Sequence, residues 1–256
     1  MGAGRHGRPR AFALRSGSLE PGIWSDDPVA TAEFYHHVLG LEELWVSRHA
    51  SDHREQALRV PTGTPLQLEL FDVEAPFAAS ASSYVALWLA DPRVDAPRVL
   101  RDPHGLVVHH VPVGHRGVRT VGVTCRVDDP ARQLRFYVDG FGAVPTRAGV
   151  FLGDTQIFIE ARADGERVSG TPPRSNGLVD ITVVVDDLVA AVDHLTCHGA
   201  AVTLRQDDRM MVCWLVDPHD NHVELVEHGP PTPSWRRSAP VRDAAGEIRE
   251  WQRSVP

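Results

Sequence analysis

The 256-residue chain contains no lysine; all 26 of its basic residues are arginine. A Schiff base, a pyridoxal phosphate anchor and the lysine of a phosphate-binding loop each need a side-chain primary amine, so neither pyridoxal phosphate nor a nucleotide is expected. Cysteine is nearly as scarce. Cys125, Cys197 and Cys213 have neither the even count of a disulfide framework nor the spacing of a zinc site, which points to small core residues in a reducing cytoplasm. No apolar run approaches the roughly 20 residues that span a bilayer. The opening "MGAGRHGRPRAFALR" lacks the apolar stretch of a secretory signal, so residues 1–15 read most simply as a flexible arm, although a basic, acid-free leader is also compatible with a targeting peptide. A net charge of -8 with no basic block argues against nucleic acid. The expected partner is a small molecule rather than a nucleic acid or a membrane, and a homo-oligomer stays open.

Hydrophobic residues make up 42% of the chain, ample for packed cores. The chain is also internally duplicated. "DDPVATAEFYHHVLGLEEL" (Asp26 to Leu44) and "DDPARQLRFYVDGFGAVP" (Asp128 to Pro145) share an acidic turn, a helix with an aromatic pair and a glycine exit. "RDPHGLVVHHVPV" (Arg101 to Val113) and "VDPHDNHVELVEH" (Val216 to His228) each close a copy with a turn and a strand. The unit is strand, helix, then several strands, used twice per half. Aspartates before each helix are natural N-caps, and Gly140 and Gly199 sit where a helix exit favours positive φ. The second unit of the first half is worn: "SYVALWLADP" supplies its strand but leaves almost no room for a helix.

Alternation along the strands separates an apolar from a polar face. Val223 and Leu225 oppose His222 and Glu224, Ile181 and Val183 oppose Asp180 and Thr182, and Ile157 and Ile159 oppose Gln156 and Glu160. A carboxylate on an enclosed face must be paired, protonated or metal-bound.

The pattern "FYHHVLGL" after an acidic strand exit, "LQLELF" in a later strand and "DPHDNHVEL" at the end resembles the vicinal oxygen chelate superfamily, which includes glyoxalases, extradiol dioxygenases and bleomycin-binding resistance proteins. The resemblance covers roughly residues 16 to 228. It implies an α+β fold of tandem βαβββ modules forming two glyoxalase-like domains with cup-shaped mixed sheets. Those domains are expected at 16–113, with a shortened second module, and at 118–228, followed by a proline-rich extension at 229–256.

The resemblance also implies metal ligands on the opening and closing strands. In the C-terminal cup these are Glu224, Asp180 and Glu160, the first choice; in the N-terminal cup they are Glu20, Glu69 and His109. Tyr84 takes the remaining opening-strand place. Arg126, His222, Thr182, Trp24 and Phe158 are the expected substrate contacts, with Arg126 also able to bridge Glu224. Extradiol relatives hold Fe(II) by two histidines and a glutamate, whereas Gly122 and Asp180 stand at the histidine places here. A divalent ion is the implied cofactor, with Mn, Mg, Fe and Zn unresolved, and oxygen ligands favour a hard ion. Two functions follow. One is a small-molecule enzyme, related to dioxygenases or to glyoxalase-type lyases and isomerases, acting on an oxygenated or aromatic metabolite. The other is a metal-free binding protein that sequesters an aromatic or cationic compound.

Overall fold

The computed structural model describes residues 14–50, 53–73, 76–79, 82–163, 175–198, 200–206, 210–228 and 239–240. Most of the expected arm and most of the extension at 229–256 lie outside the described residues, as does Gly199.

Four modules follow one another. The first contains β1 (Leu14–Ser25), α1 (Pro28–Glu33), β2 (Glu42–Ala50), β3 (His53–Arg59) and β4 (Pro65–Phe71). A two-residue β5 (Ala78–Ala79) leads to the second module, β6 (Tyr84–Ala90), β7 (Arg98–Arg101) and β8 (Val107–Val111), with no helix between β6 and β7. The third contains β9 (Val121–Val127), α2 (Pro130–Arg135), β10 (Val144–Thr146), β11 (Gly149–Leu152) and β12 (Thr155–Ala161). The fourth contains β13 (Ser175–Val185), α3 (Leu188–Cys197), β14 (Val202–Gln206), β15 (Met210–Val216) and β16 (His222–His228), and the pair Ala239–Pro240 forms β17.

Helix starts follow the acidic turns. The carboxylates of Asp27, Asp129 and Asp187 accept from the amides of Ala30, Arg132 and Ala190 at 2.8–3.0 Å, and prolines 28 and 130 pre-set the first turn of the first two helices. Both of these helices continue into a π-helical turn over the aromatic pair, Phe34–Val38 and Phe136–Gly140. The extra turn moves the left-handed exit residue to Gly40 (φ 67°) and Gly142 (φ 66°). Gly140, expected to be that exit, instead ends the π turn. Replacing Asp187 by alanine should lower stability by about 1 kcal/mol, through one unsatisfied amide and a lost cap. Urea unfolding monitored by far-UV circular dichroism measures it.

The strands form two mixed sheets. One has the order β17-β14-β15-β16-β13-β1-β4-β3-β2 and the other β10-β11-β12-β9-β6-β8-β7. β1 lies antiparallel to β13, and β9 antiparallel to β6. The first module therefore shares a sheet with the fourth, and the second with the third. Residues 16–113 and 118–228, expected each to close a cup of their own, instead contribute one module to each sheet. Periodicity determines which face of a strand is buried, but says nothing of which neighbour completes the sheet.

A large core cluster joins apolar faces from all four modules, among them Leu19, Ile23, Leu68, Leu87, Val123, Ile181 and Leu225. Tyr35 and Tyr137, the tyrosines of the repeated aromatic pairs, are fully buried in it. The Tyr137 hydroxyl meets that of Tyr84 at 3.1 Å, so Tyr84 belongs to the core side of its strand. The repeated "DPH" turns are structural. Asp217 accepts from the Asn221 side chain at 2.7 Å and from the amides of His219 and Asn221, while Asp102 accepts from the amides of His104 and Leu106.

Candidate functional site

The exchange of modules rearranges every expected site. On the first sheet, β1 presents Glu20, Gly22 and Trp24 on the face opposite the buried Leu19 and Ile23. β4 adds Gln67, Glu69 and Phe71, β13 adds Asp180 and Thr182, and β16 adds His222 and Glu224. Glu20 pairs in register with Thr182, and Gly22 with both Asp180 and Gln67. Glu20 and Glu69 thus face Asp180 and Glu224 across one cup. Glu160 and His109, expected with one set or the other, lie on the second sheet. So do Arg126 and Phe158, which are separated from Trp24, Thr182 and His222.

Each acid of the first cup has a specific environment. The Trp24 indole donates to Asp180 at 3.2 Å. Thr182 donates to Glu224 at 2.6 Å, Gln67 donates to Glu20, and His53 bonds Glu69. Asp180 is 3% exposed, and a methyl on Gly22 would fall 1.8 Å from its Oδ1. The glycine is what leaves room for that carboxyl. Burial pushes the Glu20 carboxyl up to about 7, despite the Gln67 bond and helped by the charge of Glu55. Burial also raises Asp180, which the Trp24 N–H partly counters. Glu224 is raised well above the carboxylate range, first by burial and then by Asp180. Burial lowers His222, which packs edge-on to Trp214 with ring centroids 5.9 Å apart. An aromatic wall closes one side: Phe71 stacks on His53 at 4.3 Å and contacts Trp24 and Phe77, both at 5.1 Å.

Register shows how the second cup differs. There Gly122 pairs with Trp88, and Trp88 with His109. These are the places that Glu20, Thr182 and Glu224 hold in the first cup, where Thr182 pairs with both. A Cβ at Gly122 would sit 3.1 Å from the Gln156 carbonyl oxygen and 3.2 Å from the Trp88 Cβ, so the strands pack closely at this glycine. Trp88 is 4% exposed, donates to Thr124 at 2.9 Å and packs on Phe158. The second cup is filled by its own aromatic side chains. Arg126 faces Glu160 at 3.6 Å at its rim, on the other sheet from Glu224, the bridge partner expected for it.

The oxygen-rich first cup has the donor chemistry of a hard cation, but among the described residues no three carboxyl, imidazole or thiol groups stand close enough together to hold a metal ion. Glu20, Asp180 and Glu224 each point to a different hydrogen-bond donor instead. This arrangement does not fit a bound metal, and the chemistry below is derived from the side chains alone.

Solved structures share this architecture. Over 82% of this chain and 92% of the other, it superposes on glyoxalase I from Zea mays with a TM-score of 0.60 at 16% identity. A putative dioxygenase from Bacillus subtilis aligns over 95% of this chain and 98% of its own with a TM-score of 0.61 at 13% identity. The cppA protein from Streptococcus pneumoniae gives 0.51 at 12% identity, over 84% and 98%. The chain has the two-domain vicinal oxygen chelate fold. No family model and no curated protein matches its sequence, so the likeness is one of fold alone.

Within that fold, alternation marks Asp180 and Glu224 as polar-face residues and the family resemblance adds Glu20 and Glu69, while neither points to Gln67, Glu55, His53, Phe71 or Trp88. Gln67 alternates with Glu69 in "LQLELF" and carried the same signal. His53 and Glu55 could be assigned only once β3 was known to flank β4. Among the described residues, no helix is long and apolar enough to cross a membrane.

Proposed function

We propose that the protein is a cytoplasmic small-molecule enzyme whose active site is the first cup, where Asp180 and Glu224 transfer protons to and from an oxygenated or aromatic metabolite. The observation that supports this most is the contrast within one buried pair: Asp180 accepts from an indole N–H, while Glu224 lies beside it with its charged form opposed by burial and by Asp180. Two carboxyls whose environments push them apart are suited to act as base and acid at neutral pH. In this reading Asp180, whose carboxylate the Trp24 N–H favours, takes a proton from the substrate. Glu224, held protonated and oriented by Thr182, returns one to a substrate oxygen. Phe71, His53 and Trp24 supply the apolar wall that orients a flat substrate and excludes water.

The test is hydrogen exchange from solvent. A panel of aliphatic and aromatic α-hydroxy and α-keto compounds is incubated with chelator-treated protein in D2O, and loss of the carbon-bound proton is followed by NMR. Asp180→Asn and Glu224→Gln should each slow exchange by at least about 100-fold. Equal rates in wild type and both variants would eliminate the acid–base pair. A melting-temperature rise with Mg2+, Mn2+, Fe2+ or Zn2+ that vanishes in Glu224→Gln would show instead that the cup gathers its carboxylates around a metal.

A second reading, a binding protein for a cationic compound, is favoured by carboxyls and aromatic rings sharing one cup, Asp180 bonded by the Trp24 indole and Glu69 by His53, with Phe71 packed against both rings. Tight binding of an aromatic amine without chemical change would support it over catalysis.

A further inference from the structure

Apart from the two cups, the structure has a cavity of about 430 Å³ between α2 with its π-helical turn, the end of α3, and the turn that joins β15 to β16. That volume lies in the range of roughly 300–1,000 Å³ usual for small-molecule sites. Phe136 and Leu195 line it from the two helices, and Val216, 41% exposed, lines it from the end of β15. Three hydrogen bonds tie the walls together. Gln133 of α2 donates to Asp217 of the turn at 2.5 Å, His219 of the turn donates to the Asp129 carbonyl at 3.2 Å, and His194 of α3 donates to the Asp139 carbonyl at 3.2 Å. Leu195 also packs on Gly140, where a Cβ would sit 3.2 Å from its Cδ2. The cavity is therefore preformed.

Four charged side chains line the same space: Arg132 and Arg135, three residues apart on one helical face, Asp139 from the π turn and Asp220 from the strand turn. All four are exposed, and among the described residues none makes an ion pair or a side-chain hydrogen bond. The internal repeat shows that the fold does not require these charges. Arg132, Arg135 and Asp139 stand where the first copy has Ala30, Glu33 and His37, and Asp220 stands where it has Gly105. The first copy also lacks the second wall, since no helix separates β6 from β7. The charges thus occur in the half that has the cavity. Asp220 is the sharpest case. Its backbone is left-handed, φ 62° against 85° at Gly105, a conformation that suits glycine and that aspartate adopts when its side chain can bond locally. The Asp220 carboxylate makes no such bond and lines the cavity instead.

We propose that this cavity binds a free α-amino acid with an apolar side chain. Its carboxylate is held by Arg132 and Arg135, its ammonium by Asp139 and Asp220, and its side chain lies against Phe136, Leu195 and Val216. Two cations and two anions that do not pair with one another select a ligand that carries both charges, and guanidinium groups match a carboxylate in a bidentate fashion. The site uses none of the acids of the first cup, so this inference stands apart from the proposed activity.

The probe is L-phenylalanine, titrated by calorimetry into the full-length protein beside 3-phenylpropionate, which lacks the ammonium, and 2-phenylethylamine, which lacks the carboxylate. The amino acid should bind, and each singly charged analogue should bind at least tenfold more weakly. Arg135→Gln and Asp220→Gly should each weaken phenylalanine binding at least tenfold. Asp220→Gly introduces the residue of the first copy at a left-handed position, so its melting temperature should not fall and lost binding cannot be laid to a folding defect. Glu224→Gln in the first cup should leave phenylalanine binding unchanged. No phenylalanine binding at millimolar concentration, equal binding of either analogue, or undiminished binding by either cavity variant would overturn the assignment. Binding lost in Glu224→Gln but kept in the cavity variants would place the amino acid in the first cup and overturn it equally.

Discussion

Raising the pH from 5 to 8 should destabilise the protein, and Glu20→Gln should remove a large part of that loss. Burial lifts the Glu20 carboxyl from 4.5 to about 7, and it also raises Asp180, Glu224, Asp102 and Asp217. A raised carboxyl keeps in the native state a proton that the unfolded chain releases above about pH 4.5. Its contribution is therefore fully present below that pH and lost as the pH climbs through 7. For Glu20 alone the shift corresponds to at most about 3 kcal/mol between the two limits. Glutamine is neutral at every pH and can still accept from Gln67, so Glu20→Gln should gain stability over wild type at pH 8 and gain little at pH 5. Asp91 opposes this trend. Its charge pairs with Arg93 and His110 at 2.8 and 2.9 Å and its carboxyl is held below the usual range, so its contribution is present above about pH 4 and is lost on further acidification. The optimum should thus lie near pH 5. Urea unfolding of wild type, Glu20→Gln and Asp180→Asn at pH 5 and pH 8 measures these differences. Parallel pH curves for all three would mean that the first cup is open to water and its acids ordinary.

Glu20 is reached through the family resemblance, while the caps at Asp27, Asp129 and Asp187, the repeated helix with its buried tyrosine and the polar faces holding Asp180 and Glu224 are legible from local pattern. Each depends on residues within one turn or one strand. What joins β1 to β13 is not local: Gly22 lies opposite Asp180 because two strands more than 150 residues apart meet, and nothing in either segment names the other. The unit that repeats was therefore readable, while the pairing of first with fourth and second with third was not. The same limit hid the difference between the cups. Trp88 reads in "YVALWLA" as one more core aromatic, and only its register with Gly122 and His109 shows that it stands where the first cup keeps Thr182 between two acids. Gly122 had been visible as a departure from the family's histidine. Its physical sense, a close approach to Trp88 and to the Gln156 carbonyl, required the partner strands.

Trp88→Ala should lower stability by about 3–5 kcal/mol, the range for emptying a buried aromatic site. The indole is 4% exposed and shares a cluster with Ala90, Val111, Val118 and Phe158. Its removal leaves Thr124 without the N–H donor held at 2.9 Å and His109 without its stacking partner. The cavity would retain the shape of the lost ring, so added indole should restore part of the loss. A ligand at a hundredfold excess over its Kd stabilises by about 2.7 kcal/mol. The effect should stay on the second sheet: the pH dependence assigned to Glu20 and the exchange activity assigned to Asp180 and Glu224 should survive in Trp88→Ala protein that remains folded at low temperature. A loss below about 1 kcal/mol would show that the indole does not fill the cup, since surface substitutions away from such features stay within about 0.5 kcal/mol. Loss of the first cup's pH dependence would show that the two sheets, joined through one core, do not keep independent sites. Indole rescue with an intact first cup would establish the division of labour that the register implies, one cup kept open for acids and the other packed around a ring.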